Sequence, residues 1–167
     1  MGTAPGLTGR QGFLDGGVVV GWSPVAVAEP LVRSLAGELA GSDPGQLHHT
    51  CPACGSIEHG RPYVEAPLWV SVAHATGLTV AALSLVGPVG VDVERDAPLS
   101  WVLREAVGKA LGTGLLVEEL PDPDWSAPVV IAGHVAAVAT LRPPGPEGPA
   151  GPPGRATRRT TDPRRDR

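Results

Sequence analysis

The stretch LWVSVAHATGLTVAALSLVGPVGVDVE, residues 68–94, decides how this chain folds. Leu68 to Ala73 and Leu78 to Val86 are apolar and β-branched, and Ala75-Thr76-Gly77 separates them, a pattern that predicts a β-hairpin. Gly87-Pro88 interrupts the run, and Val89 to Glu94 predicts a third strand. Residues two apart in a strand share a face, so Val91 and Val93 belong to a core while Asp92 and Glu94 project together from the other side. Two carboxylates there repel each other, which is costly unless a cation or an arginine compensates them.

Downstream, Ser100 is placed to cap a helix over Trp101 to Leu111, ended by Gly112 and Gly114. Val129 to Ala132 and Val135 to Leu141 read as two closing strands with Gly133 between them. Upstream, Val18 to Trp22 predicts a short strand. Leu31, Val32, Leu35 and Leu39 recur at helical spacing between Glu29-Pro30 and Gly41. Ser42 to Pro67 reads as a polar, turn-rich loop, and Trp69 and Trp101 as core residues.

Together these elements predict an α+β fold of two small lobes, each a short antiparallel sheet with a packed helix, divided near Gly87. A flexible lead is expected over residues 1–17, an N-terminal lobe over 18–87 and a C-terminal lobe over 88–141. The Pro, Gly and Arg-rich residues 142–167 hold too few apolar side chains to offset ordering entropy, so they are expected to form a disordered tail.

Composition narrows the function. The chain has 167 residues, 42% of them hydrophobic, which fits one compact unit, and its 23 Gly, 19 Pro and 4% aromatics imply many loops around a modest core. Up to Leu141, six Lys and Arg stand against fourteen Asp and Glu. That acidic body argues against a nucleic-acid platform and leaves anion binding to a few well-placed groups. No run of 18 apolar residues and no secretion signal is found, so a cytoplasmic protein without membrane contact is expected. In that reducing setting Cys51-Pro-Ala-Cys54 predicts two free thiols, with a zinc knuckle drawing on His48, His49 or His59 as the other reading.

Glu105 follows Glu94 by eleven residues. The link Arg95 to Ser100 spans up to about 20 Å when extended, enough to bring Glu105 back beside Asp92 and Glu94 as a third oxygen ligand. Three carboxylates without cysteine or histidine favour a hard cation such as Mg²⁺, completed by water and phosphate oxygens. Lys109 lies one helical turn after Glu105 on the same face. Carboxylates, a metal and a lysine together suit phosphoryl-group chemistry.

The order of these features resembles that of the Sfp-type 4′-phosphopantetheinyl transferases. The matching segments are His59-Gly60-Arg61-Pro62, Ser71-Val72-Ala73-His74-Ala75, Gly90 to Glu94, and Trp101 to Leu115 with Arg104-Glu105-Ala106 and Lys109. Cys51 to Gly55 and the helix before it look like the actinobacterial branch, and the similarity spans roughly residues 29–141. The resemblance implies two pseudo-symmetric lobes meeting at a magnesium site, and transfer of the phosphopantetheine arm of coenzyme A to a serine of an acyl or peptidyl carrier protein; a monomer is expected. It assigns Asp92, Glu94 and Glu105 to the metal, Glu105 and Lys109 to catalysis, and Arg61, His74 and Lys109 to coenzyme A phosphates. Ala73 stands where the family has serine, and the link Arg95 to Ser100 replaces a longer helical segment. A non-catalytic homologue that binds a carrier protein or coenzyme A is the alternative.

Overall fold

The computed structural model describes residues 9–13, 17–24, 27–51, 54–114 and 117–142. Among the described residues it is an α+β protein with two antiparallel sheets and two helices. The first sheet has the strand order β1-β2-β6-β5-β4-β3, with β1 Gly9–Phe13, β2 Val18–Ser23, β3 His48–Thr50, β4 Arg61–Tyr63, β5 Trp69–Ala75 and β6 Leu78–Ser84. The second has the order β7-β9-β8, with β7 Val89–Glu94, β8 Trp125–Ile131 and β9 His134–Thr140. Helix α1, Ala28–Ala40, packs on β2 and β6, and α2, Leu99–Leu111, packs on β7 and β9.

Period-two alternation sorts the strand residues into layers. Val18 and Val20 of β2, Ala73 of β5 and Val80 and Ala82 of β6 face Val89, Val91 and Val93 of β7 and Val129, Ile131, Ala136 and Val138 of β8 and β9. The intervening Val19, Val70, Ala81 and Leu83 point the other way and meet Leu31, Val32, Leu35 and Ala36 of α1. Ala139 meets Ala106 and Val107 of α2 on the outer face of the second sheet. The order is therefore helix, sheet, sheet, helix. Full burial of each Val or Leu contributes about 1.5–3 kcal/mol before ordering entropy is subtracted.

The hairpin at the centre of the reading is present as β5 and β6, joined at Ala75↔Leu78. Several expectations need correction. The lead expected over residues 1–17 contains β1, which pairs with β2 from Gly9↔Trp22 to Phe13↔Val18; its glycines hid the strand from a propensity argument. The loop expected over 42–67 contains β3 and β4, too short to show any period. Helix α2 begins at Leu99 with Pro98 as its N-cap residue and no side-chain cap, so Ser100 is already inside the helix. Trp101 is 45% exposed, because Val102, Ala106 and Ala110 carry the buried stripe and Trp101 stands instead one turn before Glu105. The tail expected from 142 onwards lies outside the described residues after Arg142.

Among the described residues no helix is long and apolar enough to cross a membrane.

Candidate functional site

Strand β7 turns Val89, Val91 and Val93 into the core, which leaves Gly90, Asp92 and Glu94 facing α2. The helix comes down onto Gly90 so closely that a Cβ there would collide with Ala106 O and Ala110 N. This backbone-to-backbone approach places Glu105 and Lys109, four apart on one side of α2, over Asp92.

Asp92 is 3% exposed. Its Oδ1 accepts a hydrogen bond from Lys109 Nζ at 2.6 Å, while its Oδ2 is buried without a hydrogen-bond partner. One carboxylate oxygen from each of Asp92, Glu94 and Glu105 lies within 4.8 Å of the others. Burial raises the Glu105 pKa above its ordinary 4.5; the charge and close approach of the Asp92 carboxylate and the Glu94 charge raise it further, against a lowering by Lys109. The group thus carries more negative charge than its one ammonium balances. A hard cation fits it on two counts, the all-oxygen donor set and the orphaned Oδ2.

Lys109 connects this cluster to a cavity of about 320 Å³. The cavity is walled by Arg61 and Pro62 of β4, Val70 to Val72 of β5, and the turn Gly112-Thr113-Gly114 after α2. That turn folds back tightly because the Gly112, Thr113 and Gly114 N–H groups all donate to Gly108 O. A side chain on Gly108 would strike Gly114, so a residue that looks like a weak point in the helix permits the cavity wall to form. Arg61 lies with its guanidinium carbon 4.8 Å from the centre of the Trp69 ring, and its buried Nη2 has no hydrogen-bond partner. Burial lowers the Arg61 pKa, although an arginine stays charged at any physiological pH. Two cationic side chains therefore line an opening beside three carboxylates.

The structure brings Asp92, Glu94, Glu105 and Lys109 together and sets Arg61 on the cavity they adjoin. His74 stands apart from them. It is an exposed residue of β5 whose Nδ1 lies 3.0 Å from Thr79 Oγ1, and it is not among the residues that line the cavity. Three residues have site roles that the motifs alone do not reveal. Ser71 lines the cavity, and its Oγ accepts a hydrogen bond at 3.0 Å from Val91 N–H, which ties β7 to β5. Trp69 forms the face on which Arg61 rests, and Cys51 borders the same cavity. A serine inside an apolar strand was the one available signal, since a buried hydroxyl needs a partner.

Fold and site together define an α+β protein with a carboxylate cluster between β7 and α2 and a cationic cavity next to it. No protein-family model matches the chain, and no curated protein matches it.

Proposed function

We propose that the chain is a divergent 4′-phosphopantetheinyl transferase that moves the phosphopantetheine arm of coenzyme A onto a serine of an acyl or peptidyl carrier protein, with Mg²⁺ as its metal. The observation that carries the reading is the unpartnered, buried Asp92 Oδ2 inside the trio Asp92, Glu94 and Glu105, bridged by Lys109 to the Arg61 cavity. Two sheets, each with its own helix, accord with the two-lobed plan of that superfamily.

In this reading Asp92, Glu94 and Glu105 hold the magnesium, which when bound supplies positive charge to pyrophosphate oxygens. Glu105, with its raised pKa, accepts the proton of the carrier serine hydroxyl, directly or through water. The serine oxygen forms a bond to the phosphorus that bears the pantetheine arm, the bond from that phosphorus to the bridging oxygen breaks, and adenosine 3′,5′-bisphosphate leaves. Lys109 neutralises the charge gathering on the leaving phosphate, and Arg61, which lines the cavity, orients phosphate oxygens there through its guanidinium. His74 reaches a phosphate only if coenzyme A extends along β5 past the cavity. These are positioning and electrostatic roles, which is how most of the barrier to phosphoryl transfer is lowered.

A second reading, a homologue that binds carrier protein or coenzyme A without transfer, is favoured by one contact. Lys109 Nζ already neutralises Asp92 at 2.6 Å, which lets the cluster persist without a metal. One experiment separates the two: the chain is incubated with coenzyme A, Mg²⁺ and several apo carrier proteins, and the carriers are weighed. Transfer adds about 340 Da to the carrier, the mass of the cofactor's arm. No increment on any carrier refutes the transferase reading, and an increment made by Glu105→Ala refutes the assignment of Glu105.

A further inference from the structure

The loop joining β3 to β4 holds a second group of metal-ligating side chains, different in chemistry from the carboxylates. Cys51, Cys54 and His59 each offer one ligand atom, and these atoms lie within 4.8 Å of one another. Cys54 Sγ and His59 Nε2 are 3.3 Å apart.

The backbone builds this convergence. Gly55 N–H donates to Cys51 O at 2.8 Å and Cys51 N–H donates to Ser56 O at 2.9 Å, which closes a turn that holds both cysteines. At the far end Gly60 takes φ 106°, and a Cβ there would lie 2.5 Å from Cys51 Cα. Only glycine accepts that conformation and that approach, and it is what returns His59 to the side of Cys51. The pair Thr50↔Arg61 then closes the hairpin.

We propose that Cys51, Cys54 and His59 bind a zinc ion, with water or an outside ligand in the fourth position. Two thiolates and an imidazole form a borderline-soft set that suits zinc and disfavours the hard cation fitted to the carboxylates. Zinc lies about 2.3 Å from sulfur and about 2.0–2.1 Å from nitrogen, so tetrahedral angles set the two ligand atoms about 3.6 Å apart. The sulfur-to-nitrogen distance at Cys54 and His59 needs only a small widening to reach that value. Cys54 and His59 are exposed, which gives the ion a route in. Cys51 borders the cavity that Arg61 lines, so the ion clamps the loop whose last residues, Gly60 and Arg61, deliver the guanidinium to the cavity. This assignment is independent of the transferase reading.

The test uses the full chain, purified without chelator, desalted and analysed for metal by mass spectrometry. One zinc per chain is expected, and cobalt substitution should give thiolate-to-cobalt charge-transfer absorption. Cys54→Ser and His59→Ala, both at exposed positions, should lose the zinc and that absorption while keeping the wild-type unfolding temperature in chelator. Glu105→Gln should keep both signals. The proposal is overturned if the wild-type chain retains no zinc after zinc is added and excess removed. It is equally overturned if the double variant Cys54→Ser/His59→Ala still holds zinc, or if the purified chain carries a Cys51–Cys54 disulfide and no metal.

Discussion

Replacing Lys109 with methionine asks whether Asp92, Glu94 and Glu105 form a cation site or whether Lys109 and Asp92 are only an ion pair. The Asp92 side chain is 5% exposed and that of Lys109 32%, so the substitution leaves a buried carboxylate facing two others without its ammonium. Removing one partner of a buried pair costs about 3–5 kcal/mol, and the partial exposure of Lys109 puts this case near the lower limit, about 3 kcal/mol. Methionine keeps most of the apolar stem, so little of the loss comes from packing. At about 2–4 °C per kcal/mol for a chain of this size, the Tm in EDTA should fall by about 6–12 °C. Magnesium should return most of it, since a ligand at one hundred times its Kd stabilises by about 2.7 kcal/mol. The wild-type chain should gain less, because Lys109 already satisfies one Asp92 oxygen. Thermal unfolding followed by circular dichroism, in EDTA and in rising MgCl₂, reads both effects. An unchanged Tm for Lys109→Met in EDTA, or no greater response to magnesium than the wild type, would refute the reasoning.

Three further outcomes are expected. Because the folded Glu105 pKa is raised, its contribution to stability is fully present in acid, below its ordinary 4.5, and is lost as pH rises through the folded value; Glu105→Gln should flatten that slope in EDTA unfolding curves, and saturating magnesium should reverse its sign in the wild type. Gly90→Ala drives a methyl into the Ala106 carbonyl and should cost about 3 kcal/mol, seen as a lower denaturation midpoint together with weaker magnesium binding as α2 is pushed off β7. Arg61→Gln removes a charged donor worth about 1.5 kcal/mol or more, so coenzyme A should bind at least about tenfold more weakly by calorimetry, with unfolding little changed.

Much of this architecture was legible because it rests on alternation. Val91 and Val93 against Asp92 and Glu94 state which side of β7 is core, and the helix after it had to return within a short link. What escaped was set by contacts distant in sequence. Gly9 to Phe13 becomes a strand because β2 offers it an open edge, which no local preference encodes. Trp101 looked like core by hydrophobicity alone, yet helical phase places it on the Glu105 side of α2. His74 carries a motif position, and on β5 its Nδ1 meets Thr79 Oγ1, a contact the motif does not encode. The hydroxyl of Ser71 and the clearance at Gly108 become meaningful only once β7 and the turn after α2 are beside them.

Among the described residues, the inner faces of the two sheets are covered by each other. Neither can open without exposing Val18, Val20 and Val80 on one side or Val91, Val93 and Val138 on the other, so the two sheets are expected to unfold together. Any ligand gripped by the carboxylates between β7 and α2 is then linked to amides far from it. Its binding energy should appear as slowed hydrogen exchange in β2 and β6 as fully as in β7, and a local event at three carboxylates becomes a property of the whole molecule.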